Sequence, residues 1–134
     1  MIVTDTNVIA YLLLPGVHTP LAEAVFDKDS HWIAPFLWQS EFRNILALYL
    51  RQKEITFDQA RAVMTKAERM LHRQTHLVNS DDVLNLVMSS ACSAYDCEFV
   101  ALAKRFNIPL VTADKKVLRE FPETAVSLEQ FSRI

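Results

Sequence analysis

One glycine, Gly16, occurs in the 134 residues of this chain. Phosphate-cradling loops of the P-loop or dinucleotide type need several glycines so that backbone N–H groups can close on the ligand, and both are excluded. Cysteine is nearly as scarce: Cys92 and Cys97 match neither a zinc knuckle nor a C-x-x-C redox pair. They read as buried free thiols, which fits a reducing cytoplasm. The apolar run Ile45 to Leu50, like the one from Val8 to Leu14, is too short to cross a bilayer. Met1-Ile2-Val3 meets Thr4-Asp5 with no basic region and no cleavage site, so no signal peptide and no membrane partner are expected. An excess of positive charge is missing as well. The 14 Lys and Arg against 16 Asp and Glu leave −2 at pH 7, so charge alone does not hold a polyanion.

What is present is a half-apolar chain, 51% hydrophobic, long enough for one self-sufficient core. Short β-branched runs alternate with helical segments. Strands are predicted at Ile2-Val3-Thr4, Trp32-Ile33-Ala34, His76-Leu77-Val78, Pro109-Leu110-Val111-Thr112 and Ala125-Val126-Ser127-Leu128. Helices are predicted from Asn7 to Leu14 and from Thr19-Pro20, with the Thr19 hydroxyl as N-cap. Further helices start at Pro35, reaching about Gln52, and at the capping box Thr56-Phe57-Asp58-Gln59, reaching about His72. Ser80-Asp81-Asp82 and Ser93 cap two more, the second ending at Phe106, and a short helix begins at Asp114. This alternation predicts an α/β fold over 1–134: a three-layer sandwich whose central, mainly parallel sheet of about five short strands is flanked by helices.

Such sheets place function beyond the carboxyl ends of their strands. Asp5 follows the first strand and Asp114 the fourth; either is also an ordinary helix cap. Two other carboxylates sit on apolar helix faces. At 100° per residue, Leu37, Ile45, Leu48 and Trp38 fall within about 60° of Glu41, and Ala103, Val100 and Phe99 within about 60° of Asp96. Asp96 has a capping-box alternative with Ser93, whereas Glu41 lies too deep in its helix to cap. No Lys or Arg stands three or four residues from either. A buried carboxylate without a partner either stays protonated or faces a cation; a bound metal satisfies several at once, and an all-oxygen set selects Mg²⁺ or Mn²⁺ over zinc.

These residues carry a resemblance. Ile2-Val3-Thr4-Asp5-Thr6-Asn7, Ala34-Pro35-x-x-Trp38-x-x-Glu41, Ser93-Ala94-Tyr95-Asp96 with Ala101-Leu102-Ala103, and Leu110-Val111-Thr112-Ala113-Asp114 follow the order and spacing of a known pattern. The chain resembles PIN-domain ribonucleases, particularly the VapC-type toxins of toxin–antitoxin pairs. The resemblance implies a catalytic and metal-binding quartet of Asp5, Glu41, Asp96 and Asp114, with Asn7, Ser93 and Thr112 as supporting polar residues. It also implies Mg²⁺-dependent hydrolysis of RNA to 5′-phosphate and 3′-hydroxyl ends, a homodimer and a small antitoxin partner.

Lys115, Lys116 and Arg119 follow Asp114 and are candidates for phosphate contacts; Arg61, Lys66, Arg69 and Arg73 decorate the helix from Thr56. No aromatic platform for bases is visible, and Tyr95 is expected to pack in the core. Outside the quartet the chain carries 14 basic against 12 acidic residues, a net +2 around an acidic centre. Two rival readings are a phosphotransfer domain of receiver or haloacid-dehalogenase type, and a catalytically silent protein-binding domain of the same fold. The first expects acids that this chain lacks, having Asn7 at one of those positions, and does not account for Glu41; the second predicts no metal dependence and no effect of carboxylate substitutions.

Overall fold

The computed structural model describes residues Met1 to Ile134. Its elements run β1 (Ile2–Thr4), α1 (Thr6–Leu13), α2 (Thr19–Lys28), β2 (Trp32–Pro35), α3 (Leu37–Arg51), α4 (Phe57–Met70), β3 (Thr75–His76), α5 (Ser80–Met88), α6 (Ala94–Phe106), β4 (Leu110–Val111), α7 (Lys115–Glu120), β5 (Ala125–Val126) and α8 (Leu128–Arg133). The strands form one sheet in the order β3-β2-β1-β4-β5, and every pairing is parallel. The expected α/β architecture is therefore present, with a wholly parallel sheet. Parallel neighbours demand crossovers, which are right-handed almost without exception. Helix α1 packs against α2 and α3, and α3 against α4, while α6 lies on β1, β2 and β4 with α5 behind it.

Strands this short persist because they are buried on both sides. Ile2, Val3, Trp32, Ile33, Leu110 and Val111 are all at most 1% exposed. They join Trp38, Phe42, Leu71 and Leu102 in one apolar cluster. The strand order reverses between β1 and β4, which brings the residues following those two parallel strands side by side. The hydrogen-bond ladder continues past the strands: Asp5 N–H donates to the Val111 carbonyl at 3.3 Å, and Thr112 N–H to that of Val126 at 3.0 Å.

Several predicted boundaries shift for identifiable reasons. Pro35 ends β2, paired with His76, and α3 begins at Leu37. Thr19 is already helical; its hydroxyl donates to the Tyr11 carbonyl at 2.7 Å and accepts Gly16 N–H at 3.0 Å, so it ties down the end of α1. Asn79, rather than Ser80, caps α5 by accepting Asp82 N–H. The third strand is Thr75–His76, because Leu77 turns outward and is 76% exposed. The last stops at Val126, where Ser127 caps the unforeseen helix α8. With glycine absent from the helix ends, Lys53, Arg73 and Asn107 adopt the left-handed conformation instead, with φ of 59°, 64° and 53°.

Candidate active site

At the carboxyl end of β1 the chain turns directly into α1, and Asp5 makes that turn. Its Oδ1 accepts Val8 N–H at 3.0 Å, capping the helix. Its Oδ2 accepts the Thr112 hydroxyl. Thr112 in turn accepts Asp114 N–H at 3.0 Å, and Asp114 Oδ1 caps α7 by accepting Lys116 and Val117 N–H at 2.9 and 3.0 Å. Each aspartate is thus a helix cap, and the buried Thr112 couples the two. Neither cap consumes the negative charge.

Glu41 approaches from α3 and accepts the Thr6 hydroxyl at 2.7 Å through Oε1. Asp96 approaches from the first turn of α6, where Ser93 accepts its N–H at 3.1 Å. The forward bond to Ser93 is half of the expected capping box. The Asp96 carboxylate stays near enough to Ser93 to be favoured by its polar groups, but only the forward bond has full hydrogen-bond geometry.

Asp5, Glu41, Asp96 and Asp114 all line one cleft of about 220 Å³, together with Thr6, Asn7, Asn44 and Thr112. Ser93 does not line it; it acts as the exposed cap of α6. Lys115, Lys116 and Arg119 are exposed on α7 outside the lining, and Lys116 is close enough to Asp96 to favour its ionised form. Tyr95, expected in the core, is 63% exposed, because the apolar face of α6 turns away from it. No three of the acidic side chains stand together as ready-made ligands of a single ion.

The electrostatics follow from burial without compensation. The only ion pair in the chain joins the Met1 amino group to Asp29, so none of the four carboxylates has a cationic partner. Burial raises Asp5 to about 6; the bonds from Thr112 and Val8 oppose the shift, while Asp114 and Glu41 add to it. Glu41 is raised mainly by burial, against the pull of the Thr6 hydroxyl, with Asp96 and Glu98 adding repulsion. Asp96 is raised by burial and then by Asp114. Such a donor set, oxygen-only and mutually repelling, suits a hard divalent cation that keeps some of its water.

Sequence reasoning missed Thr6, Asn44 and Glu98. Thr6 enters only as the residue between Asp5 and the predicted helix from Asn7, and its bond to Glu41 spans 35 positions. Asn44 stands three residues, nearly one turn, beyond Glu41, and that spacing was the available signal.

A family model described as PIN domain matches residues 2–124. No curated protein matches the sequence significantly. Among solved structures, the chain is similar to PAE2754 from Pyrobaculum aerophilum, with a TM-score of 0.72 and 17% identity over 98% of this chain and 93% of that one. It is also similar to FitAcB from Neisseria gonorrhoeae, with a TM-score of 0.76 and 15% identity over 96% and 99%. A third similar structure is FitAB bound to an IR36 DNA fragment, with a TM-score of 0.72 and 16% identity over 96% and 95%.

Proposed function

The chain belongs to the PIN-domain family, and from that premise we propose that it is a metal-dependent endoribonuclease, the toxin of a toxin–antitoxin pair. One observation carries the reading: four carboxylates from four separate elements line one cleft with no cation among them. Asp5 and Asp96 are the direct ligands of Mg²⁺ or Mn²⁺ in this reading, and Glu41 and Asp114 complete the site directly or through water. The bound ion supplies a water of lowered pKa and neutralises charge on the phosphodiester.

The chain's own groups perform the positioning. Thr112 holds the Asp5 rotamer and Thr6 holds Glu41, so the acids are oriented before substrate arrives. Asn7 and Asn44 line the cleft with neutral amides that can hydrogen-bond a phosphate or sugar. Lys115, Lys116 and Arg119 lie close by on α7 as phosphate contacts on the approach. With the cleft unneutralised, the same carboxylates repel RNA.

A homodimer and a small antitoxin belong to the same reading. A second groove, of about 390 Å³, offers a protein-binding face lined by Phe36, Leu77, Val83 and Leu84, with Met88 on the same α5 87% exposed. No helix is long and apolar enough to cross a membrane, and two free buried thiols suit the cytoplasm.

The test is cleavage of a structured RNA in Mg²⁺. Activity is expected to vanish in EDTA, and Asp5→Asn or Asp96→Asn should cost more than the roughly 10–100-fold typical of losing an outer-shell partner. Unchanged cleavage in EDTA overturns the proposal. Acid-labile phosphate trapped on Asp5 would favour phosphotransfer instead.

A further inference from the structure

The faces of α1 and α3 that line the cleft, two helices packed against each other, continue beyond the carboxylates. Asn7 on α1 and Ile45 on α3 line the cleft. Tyr11 and Tyr49 stand four residues further along each helix, on the same faces and about 6 Å away along the axes. Both rings are half-buried against the core edge and reach solvent. The exposed His18 ring lies over Tyr11 with centroids 4.4 Å apart and planes 31° from parallel.

The stack is held in place by the turn beneath it. Thr19 bonds to the Tyr11 and Leu14 carbonyls and to Gly16 N–H, which fixes the turn carrying His18 relative to the end of α1. Tyr11 is also in electrostatic reach of the site. Its hydroxyl is raised first by burial, then by Asp5 and by Tyr49. An exposed imidazole resting on a tyrosine beside a carboxylate cleft has no role in the core. Stacked on a ring one helical turn from the cleft-lining Asn7, it leaves a flat π-face open to solvent.

We propose that Tyr11 and His18, with Tyr49 alongside, form a stacking platform for a base of single-stranded RNA adjoining the phosphodiester held in the carboxylate cleft. This rests on the ribonuclease reading above. Stacking suits single strands, whose unpaired bases expose their faces, and every base offers a face, so the platform contributes affinity with little sequence preference. It also selects against duplex RNA, whose bases are already stacked on each other.

The experiment uses the Asp5→Asn protein, which is expected to bind without cutting, and a single-stranded oligoribonucleotide of mixed sequence containing 2-aminopurine. Binding is expected to quench the fluorescent base by stacking. His18→Ala on that background should abolish most of the quenching and weaken binding by roughly 5- to 100-fold, the usual worth of one base–aromatic stack. His18→Trp should restore both, which a merely structural role for the turn would not produce. Tyr95→Ala, at the other exposed ring near the cleft, should leave the signal intact. Quenching and affinity unchanged in His18→Ala, or lost in Tyr95→Ala alone, overturn the platform while leaving the ribonuclease reading standing. Failure of the Asp5→Asn protein to bind any RNA, together with no cleavage by the native protein, overturns both.

Discussion

Two sets of helix starts in this molecule use the same local chemistry to different ends. At α4, Thr56 accepts Gln59 N–H and the Gln59 side chain accepts Thr56 N–H, so donors and acceptors close on each other in solvent. At α1 and α7, Asp5 and Asp114 also satisfy the first turn, yet each brings a charge that its cap does not need. The surplus is exposed to other carboxylates instead of to cations, and it is partly shielded from water. Capping and function are therefore not rival explanations for these aspartates. The cap fixes where the carboxylate sits, and the company it keeps decides what it can bind.

The sharpest way to break this contrast is at Thr112, which belongs only to the cleft. Thr112→Val keeps shape but removes the donor to Asp5 and the acceptor of Asp114 N–H. We expect RNA cleavage, or the Mg²⁺ concentration that supports it, to worsen by about 10–100-fold, as for other partners that orient metal ligands. A metal titration of activity checks this. An unchanged titration would mean that the Asp5 carboxylate is positioned by its cap alone, and that the two kinds of helix start are equivalent after all.

How much of this contrast can be read before folding depends on the span of each interaction. Thr56 and Ser93 were legible because a cap and its partner lie three residues apart. The convergence of four acids on one cleft was legible because helical phase exposes an acid on an apolar face and strand ends mark the rest. Thr6 was not, since what distinguishes it from any N-terminal helical residue is a contact with Glu41 on another helix. Nor was the stack of His18 on Tyr11, which depends on a turn closed by Thr19. Local pattern also misled where two local preferences compete: Ser127 looks like part of the strand Ala125-Val126-Ser127-Leu128 and is in fact the cap of α8. Leu77 and Val78 read as the apolar end of a strand, but β3 stops at His76 and Leu77 leaves the sheet.

A smaller effect separates the surplus charge from the cap in the metal-free protein. Asp5 titrates at about 6 in the folded state against 3.8 unfolded, so between those values the native protein holds more protons than the unfolded chain. Stability therefore falls as pH rises from about 4 to 6 and levels off above it. Glu41 and Asp96, raised in the same direction, steepen the fall. Solvent reaches the cleft, which trims the contribution of Asp5 to on the order of 1–2 kcal/mol. Asn caps as well as Asp, so Asp5→Asn should remove that part of the pH dependence and raise the melting temperature at pH 7 in EDTA. Parallel pH profiles for the two proteins would show that the Asp5 charge is already compensated. Thermal melts across pH 4–8 decide it.

The smallest expected effect lies at the helix that has no surplus. Thr56→Ala opens the box at the start of α4 and should cost about 1 kcal/mol of stability, with no change in RNA cleavage. At the other end of α4, Arg73 holds a left-handed backbone with φ of 64° that glycine adopts without strain. Arg73→Gly should return up to about 1 kcal/mol. Denaturant melts measure both, and neither should depend on pH between 4 and 8 beyond the dependence of the native protein. If Thr56→Ala instead lowered cleavage in proportion to Thr112→Val, α4 would have to be coupled to the cleft through α3 or α1, against both of which it packs. The separation between caps that only close a helix and caps that line the cleft would then fail at the interfaces α4 shares with those two helices.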